Sequence, residues 1–283
     1  MTRRGSSSLT RSSNTSPKMP EEAHISFVET LQALAPITLE EMDSVKLMNR
    51  IDTKYLTDEK TLLGVLQDAA EAGYRVLVAE EARISPYDSV YFDTEDLRMF
   101  SDHHNKRLRR QKVRTRAYVN SGDAFLEIKL KNNRGRTKKK RVGIPIGELP
   151  DFRGDEAACR YLADHSDFKA GQIQPNLETL FKRITLVNPA MTERLTIDTR
   201  LCFKNFRTGL ETSLLDAVII ELKQDGHAAS QMKGILLDHR VKPTRISKYC
   251  IAVTLTDPSA KSNRFKVKVR QIEKTIHHKI TVA

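Results

Sequence analysis

The sequence predicts an α+β protein: an antiparallel eight-stranded β-barrel tunnel with flanking helices. Two observations carry the prediction. Extended segments follow one another through turn-rich loops, as in an antiparallel meander. Six of those segments also alternate cations with aliphatic residues, so each strand has one basic and one apolar face. About eight long strands is the number that closes into a barrel and removes exposed edges.

Along the chain, residues 1–20 are Ser-rich and basic without apolar periodicity, and read as a disordered tail. Residues 21–258 form the folded domain, and 259–283 a basic tail of unassigned role. Ile25, Val28, Leu31 and Leu34 predict a short amphipathic helix over 24–35. Thr38 to Glu41 resembles a capping box. Residues 49–57 alternate as a strand. A helix over 58–73 opens at Asp58 and stops at Gly73. Strands are predicted over 74–80, 86–93, 110–120, 124–131 and 137–146. Asn120-Ser-Gly-Asp123 and Asn132-Asn-Arg-Gly135 supply hairpin turns between the last three. Helices over 155–165 and 175–181 come next, then strands over 182–188, 192–201 and 215–224. Helices over 227–238 and 244–255 complete the domain.

The chain has 283 residues, 39% of them apolar, which is ample for one large core. Its formal net charge of +12 predicts an anionic partner. Aromatic residues are only 6% and Trp is absent, which disfavours stacking on nucleic-acid bases; no nucleic-acid partner is expected. Three cysteines without a CxxC pair fit a reducing, cytoplasmic location. No apolar run approaches the roughly 20 residues of a membrane span, although a membrane-protein partner is compatible with the chain.

The basic faces define the candidate site. Over 110–118, Arg110, Lys112, Arg114, Arg116 and Tyr118 share one side, against Val113, Thr115 and Ala117. Glu127, Lys129 and Lys131 oppose Leu126, Ile128 and Leu130. Lys139 and Arg141 oppose Val142 and Ile144, leaving Lys138 and Lys140 outside. Arg194, Thr196, Asp198 and Arg200 oppose Leu195 and Ile197; Glu221 and Lys223 oppose Val218, Ile220 and Leu222; Arg50, Asp52 and Lys54 share a face. A solvated sheet face would mix in Ser, Gln and Asn, and like charges on adjacent strands repel. The pattern therefore predicts an inward basic surface whose missing negative charge comes from a ligand. A linear polyphosphate suits it, since Arg offers bidentate forks and Lys compact charges. Glu127 and Glu221 each stand two residues before a Lys. Each is either an ion-pair partner or an oxygen ligand for Mg²⁺ or Mn²⁺.

Taken in order, Arg50-Ile-Asp-Thr-Lys-Tyr55, Tyr91-Phe-Asp-Thr94, Lys112-Val-Arg-Thr-Arg116, Phe125 to Lys131, Arg194 to Thr199, Glu221-Leu-Lys223 and Ser247-Lys-Tyr249 resemble the VTC domain of polyphosphate polymerases, within the triphosphate tunnel metalloenzyme (CYTH-like) superfamily. The likeness spans about 45–252. It implies an eight-stranded tunnel and synthesis of polyphosphate from ATP with a divalent metal. It implies phosphate contacts from Lys54, Arg114, Arg116, Lys129, Arg194 and Lys248, with Ser247 beside them. It implies that Glu221 holds the metal and that Glu127 is a second acidic group near it. The first strand departs from the family's E-x-K-Y, carrying Asp52-Thr-Lys-Tyr55.

The resulting expectation is transfer of the ATP γ-phosphoryl group to a growing phosphate chain. Arg114, Arg116, Lys129 and Lys54 would act at the reacting group. Arg50, Lys112, Lys131, Lys139, Arg141, Arg194, Lys223, Ser247 and Lys248 would bind phosphates. The alternatives are a metal-dependent triphosphate or nucleotide phosphohydrolase, and a non-enzymatic module binding polyphosphate or RNA. The E-x-K pairs, in place of repeated E-x-E, favour the polymerase. His103-His104 and His277-His278 are read as solvated loop residues. The cluster Lys106 to Arg110 is read as steering anions at the tunnel mouth. Sequence leaves the oligomeric state open.

Overall fold

The computed structural model describes residues 21–43, 50–226 and 229–283; the tail expected over 1–20 lies outside the described residues. The elements run α1 (Glu21–Ala33), β1 (Ala35–Ile37), α2 (Leu39–Asp43), β2 (Arg50–Asp58), α3 (Glu59–Glu71), β3 (Arg75–Leu77), β4 (Ser85–Asp93), α4 (Arg98–His104), β5 (Arg110–Tyr118), β6 (Asp123–Lys131) and β7 (Thr137–Ile144). They continue with α5 (Glu156–His165), β8 (Gln174–Val187), β9 (Glu193–Asn205), β10 (Glu211–Leu214), β11 (Ala217–Asp225), α6 (Gln231–Asp238), α7 (Lys248–Thr256) and α8 (Lys266–Ile276).

Eight strands pair in the order β2-β11-β9-β8-β4-β5-β6-β7, antiparallel throughout. Gly122 and Gly135, both at positive φ, turn the β5–β6 and β6–β7 hairpins in a conformation that costs glycine little. The sheet curls without closing, which corrects the expectation of a closed barrel: β2 and β7 are its two edges. The free edge of β2 is already engaged, because Tyr55 bridges to Pro243 and the Thr244 N–H donates to the Lys54 carbonyl at 2.7 Å. The curl nevertheless encloses a lumen. Lys129 of β6 senses the charge of Glu221 on β11, although four strands separate them within the sheet.

The convex face is apolar, as the alternation requires. Leu195, Ile197, Val218, Ile220 and Leu222 bury against α1, α3 and α6. Val113, Leu126 and Ile128 pack with Phe152, Ala158 and Leu162. A third apolar cluster lies on the concave side. Leu56, Ile219, Leu201, Phe203 and Phe181 share faces with the lumen cations, and α7 packs onto them. This helix is apolar on nearly every side (Tyr249, Cys250, Ile251, Ala252 and Val253 are all buried), as a helix plugging one end of a curled sheet must be. The Tyr249 hydroxyl donates to Asp93, which also accepts from the Met99 and Phe100 N–H groups and so joins α7 to α4.

Three assignments change. Residues 175–181 are the first half of β8: Leu177, Leu180 and Phe181 have helical spacing, but Leu177 and Phe181 point to the concave side while Leu180 is 43% exposed. Arg200 leaves the basic face. Its left-handed backbone, φ 54°, and the register slip opposite Leu180–Lys182 form a bulge that turns it toward Glu59 outside. The 259–283 tail contains α8, whose Ile272 and Ile276 are buried against the cluster around α7.

Replacing Tyr249 by Ala should cost about 3–5 kcal/mol, the range for truncating a buried aromatic. Chemical denaturation monitored by circular dichroism checks this; an unchanged midpoint would mean that α7 does not seal the lumen.

Candidate active site

The lumen is built in register. On β11 and its neighbours, Glu221 stands opposite Lys54 of β2 and Thr196 of β9, with Lys223 opposite Asp52 and Arg194 one pair along. On the far wall, Arg114 stands opposite both Tyr91 and Glu127, and Lys112 opposite Lys129. Lys54, Lys112, Arg114, Arg116, Lys129, Arg194 and Lys223 share the inner face, and Arg200 does not. The Arg50 side chain lies outside the described residues. Lys139 and Arg141 belong to edge strand β7 and remain largely exposed, although Lys139 reaches Glu127 and Arg141 covers the Phe125 ring at 4.6 Å.

These charges divide into two sets. One set is anchored. Glu127 is fully buried; it accepts from Arg114 Nε at 2.7 Å, pairs with Lys139, and lies 4.0 Å from Arg116. Arg114 also donates to the Tyr91 hydroxyl at 3.0 Å, and Arg116 to Ser89 at 3.1 Å. Asp198 is the second anchor. It accepts from Arg183 at 2.6 and 2.9 Å in a bidentate fork and pairs with Lys248 at the start of α7. Lys112 donates to the Ser247 hydroxyl at 2.8 Å, and that hydroxyl caps α7 by accepting from the Cys250 N–H. Burial opposes ionisation of both carboxyls. The adjacent guanidinium and ammonium groups outweigh it and hold both well below the usual carboxylate range.

The other set is uncommitted. Lys54, Lys129 and Lys223 are half-buried and make no hydrogen bond or ion pair among the described residues. The same holds for the Glu221 carboxylate they surround. Burial alone would raise its pKa, but Lys54, Lys223, Lys129 and Arg183 hold it far down, so it is ionised. The lysines respond the opposite way. The charge of Arg114, then burial, pushes Lys129 far below the ordinary lysine range. Burial brings Lys223 and Lys248 down to about 8, with Arg183 adding to the effect in both. Tyr91 comes down to about 8, because the charges of Arg114, Arg116, Lys112 and Lys248 overcome its burial.

Among the described residues, no cluster of three or more His, Cys, Asp or Glu could cage a metal. One divalent ion still fits beside Glu221. The Thr196 hydroxyl, opposite Glu221 in register, is buried without a partner, and Mg²⁺ commonly takes one or two carboxylates together with phosphate oxygens and water. Glu127 fits poorly as a ligand, since its oxygens already serve Arg114 and Lys139.

Sequence reasoning did not single out Arg183, because the helix expected over 175–181 obscured the parity that puts Phe181, Arg183 and Thr185 on one face. Arg183 and Arg116 both lie over the Tyr87 ring, at 4.8 and 5.4 Å, a way of packing guanidinium groups side by side in the wall. The reading of His103-His104 as loop residues is corrected: both lie on α4, whereas His277 and His278 are exposed just after α8. His104 is buried and bonded to Asn263, and burial with the charges of Lys112, Arg110 and Lys54 pushes His103 far down, so it is neutral at the lumen rim.

The VTC domain family matches residues 49–256. The chain belongs to the VTC domain family. No curated protein matches it. Among solved structures, a candidate adenylate cyclase of Bacillus halodurans aligns over 77% of this chain and all of its own, at 14% identity and a TM-score of 0.48. A candidate adenylyl cyclase of Hippeastrum, described as having a dominant triphosphatase activity, aligns over 71% of this chain and 94% of its own, at 13% identity and 0.42. A conserved protein of Pyrococcus furiosus aligns at 14% identity and 0.38 over 71% of this chain and 99% of its own. Membership of the VTC family supports a polyphosphate-related or triphosphatase function.

Two outcomes follow from the lumen's charges. Glu127→Gln should cost about 3–5 kcal/mol, as removing one partner of a buried ion pair does. Denaturant titration measures this, and wild-type stability would mean that Glu127 does not neutralise the wall. Lys223 and Lys248 are charged below pH 8 and lose their protons above it, so tripolyphosphate affinity should fall as pH rises through about 8. Calorimetric titrations at pH 7 and 9 check the sign; equal or tighter binding at pH 9 contradicts it.

Proposed function

We propose that this VTC protein is a polyphosphate polymerase that transfers the γ-phosphoryl group of ATP to the end of a phosphate chain held in the lumen. The observation that supports it is the uncommitted set: Lys54, Lys129 and Lys223 around one ionised carboxylate, Glu221, with its own cations unneutralised. Phosphoryl transfer needs alignment and charge neutralisation more than a protein nucleophile. In this reading Lys54, Lys129, Lys223, Arg194 and Arg116 bind the triphosphate and the acceptor. Arg114, fixed by Glu127 and Tyr91, presents its guanidinium to the charge that develops on the transferred group. Ser247 and Lys248 offer further donors from the α7 end, and Arg50, Lys112, Lys131, Lys139 and Arg141 extend the basic wall. A divalent ion (Mg²⁺ or Mn²⁺) held by Glu221 would bridge phosphate oxygens and neutralise charge there. Asp52, in register with Lys223, adds one more carboxylate near the site.

The acceptor decides between transfer and hydrolysis. Water requires a base, but the carboxylates Glu127 and Asp198 in their ion pairs, and Glu221 among its lysines, are all held ionised by neighbouring cations that oppose protonation. A terminal phosphate is already anionic and needs no base, which favours the chain end over water. Among the described residues no helix is long and apolar enough to cross a membrane.

Incubation of the protein with ATP and Mn²⁺ or Mg²⁺ tests the reading. ADP with a polymer ladder is the expected result. ADP with orthophosphate alone would make the protein a hydrolase, and no turnover a binding module. Glu221→Ala should lower kcat by at least about 10²-fold, the scale of losing one electrostatic stabiliser, with tripolyphosphate binding retained. Wild-type turnover by that variant would remove the metal from Glu221.

A further inference from the structure

Outside the lumen, a cleft of about 460 Å³ opens between α4, the turn before β5 and the Asp167–Phe168 loop. Its walls carry Arg98, Arg107, Arg109 and Arg110. Two of these are neutralised, Arg107 by Asp102 at 3.1 Å and Arg109 by Asp167 at 2.6 Å. Arg98 and Arg110 have no carboxylate partner among the described residues. The cleft is therefore a basic groove with two spare positive charges. It adjoins the lumen at Arg110, which lines the cleft. Arg110 begins the same strand face as Lys112 and Arg114 and stands opposite Lys131 in register. Arg110 also lowers the pKa of Lys131, after burial and together with Arg245, so the three cations share one neighbourhood.

From this shared residue we infer that the cleft is a second binding site, a track for the distal part of a linear polyphosphate whose end lies in the lumen. The inference rests on the lumen binding phosphate chains. Nucleic acid is the weaker occupant, because stacking needs a free aromatic face. Among the described residues the one ring lining the cleft, Phe168, has the Arg98 guanidinium over it at 5.6 Å. A flexible anion with a charge at every repeat needs cations spaced along its length, which the line from Lys112 through Arg110 to Arg98 supplies.

The track makes affinity depend on chain length. Tripolyphosphate fits the lumen alone, whereas a chain of tens of phosphates reaches the cleft. The test compares both ligands, across salt, on the full chain and on the variant Arg98→Gln, whose side chain is exposed and lies outside the lumen. Tripolyphosphate affinity and ATP turnover should be unchanged, which also shows that the variant is folded. Long-chain affinity should fall about threefold or more, and the slope of log K against log salt should shrink by roughly 0.7, the share of one phosphate contact. Undiminished long-chain affinity overturns the track. An equal loss toward a single-stranded RNA of matched charge also overturns it, by showing an unselective polyanion face. If wild type binds long chains but not tripolyphosphate, the lumen reading fails instead, and the Arg98→Gln variant still reports on the cleft.

Discussion

The lumen of this sheet holds more positive charge than the protein itself neutralises. Two buried carboxylates keep that arrangement tolerable. Glu127 gathers Arg114, Arg116 and Lys139 on one wall, and Asp198 gathers Arg183 and Lys248 on the other. Without them, the burial of these cations, from β5, β7, β8 and α7, would be opposed only by aromatic faces and a few hydroxyls. With them, the wall cations are held in ion pairs, and the remaining cations face one carboxylate, Glu221, that makes no ion pair among the described residues. A ligand of repeated negative charge completes the balance, so binding and internal stability draw on the same electrostatics.

The plug helix belongs to this scheme. Its apolar body fills the end of the curl where the concave residues switch from charged to aliphatic. Its first turn supplies Ser247 and Lys248 to the basic wall through Lys112 and Asp198. Packing and charge thus meet at one helix terminus. The carbonyl of Lys54 and the edge of Tyr55 are held by residues 243–244 just before that helix. The segment that covers the β2 edge is thereby the one that leads into α7.

Much of this was readable from alternation alone. A period of two carries face identity directly, so Arg114, Arg116, Lys129, Glu221 and Lys223 could be placed on one inner surface without coordinates. What defeats parity is a bulge, as at Arg200, where one extra residue reverses the face. Leu177, Leu180 and Phe181 mislead differently, since their spacing suits either period and only sheet pairing decides. Pairing partners within the lumen were out of reach, because Arg183 with Asp198 and Lys112 with Ser247 depend on how strands and α7 meet. The two readings offered for Glu127 and Glu221 could be separated only by such contacts: the same E-x-K pattern gives one glutamate that is neutralised and one that is not.

The central claim is that the inward cations and Glu221 form one phosphate-binding cavity. A crystal structure with tripolyphosphate and Mn²⁺ tests it most directly. The account requires phosphate oxygens within hydrogen-bond distance of Lys54, Lys129, Lys223 and Arg116, and an anomalous Mn²⁺ peak bonded to Glu221. Ligand bound only on the convex face, or Mn²⁺ bound away from Glu221, would contradict it.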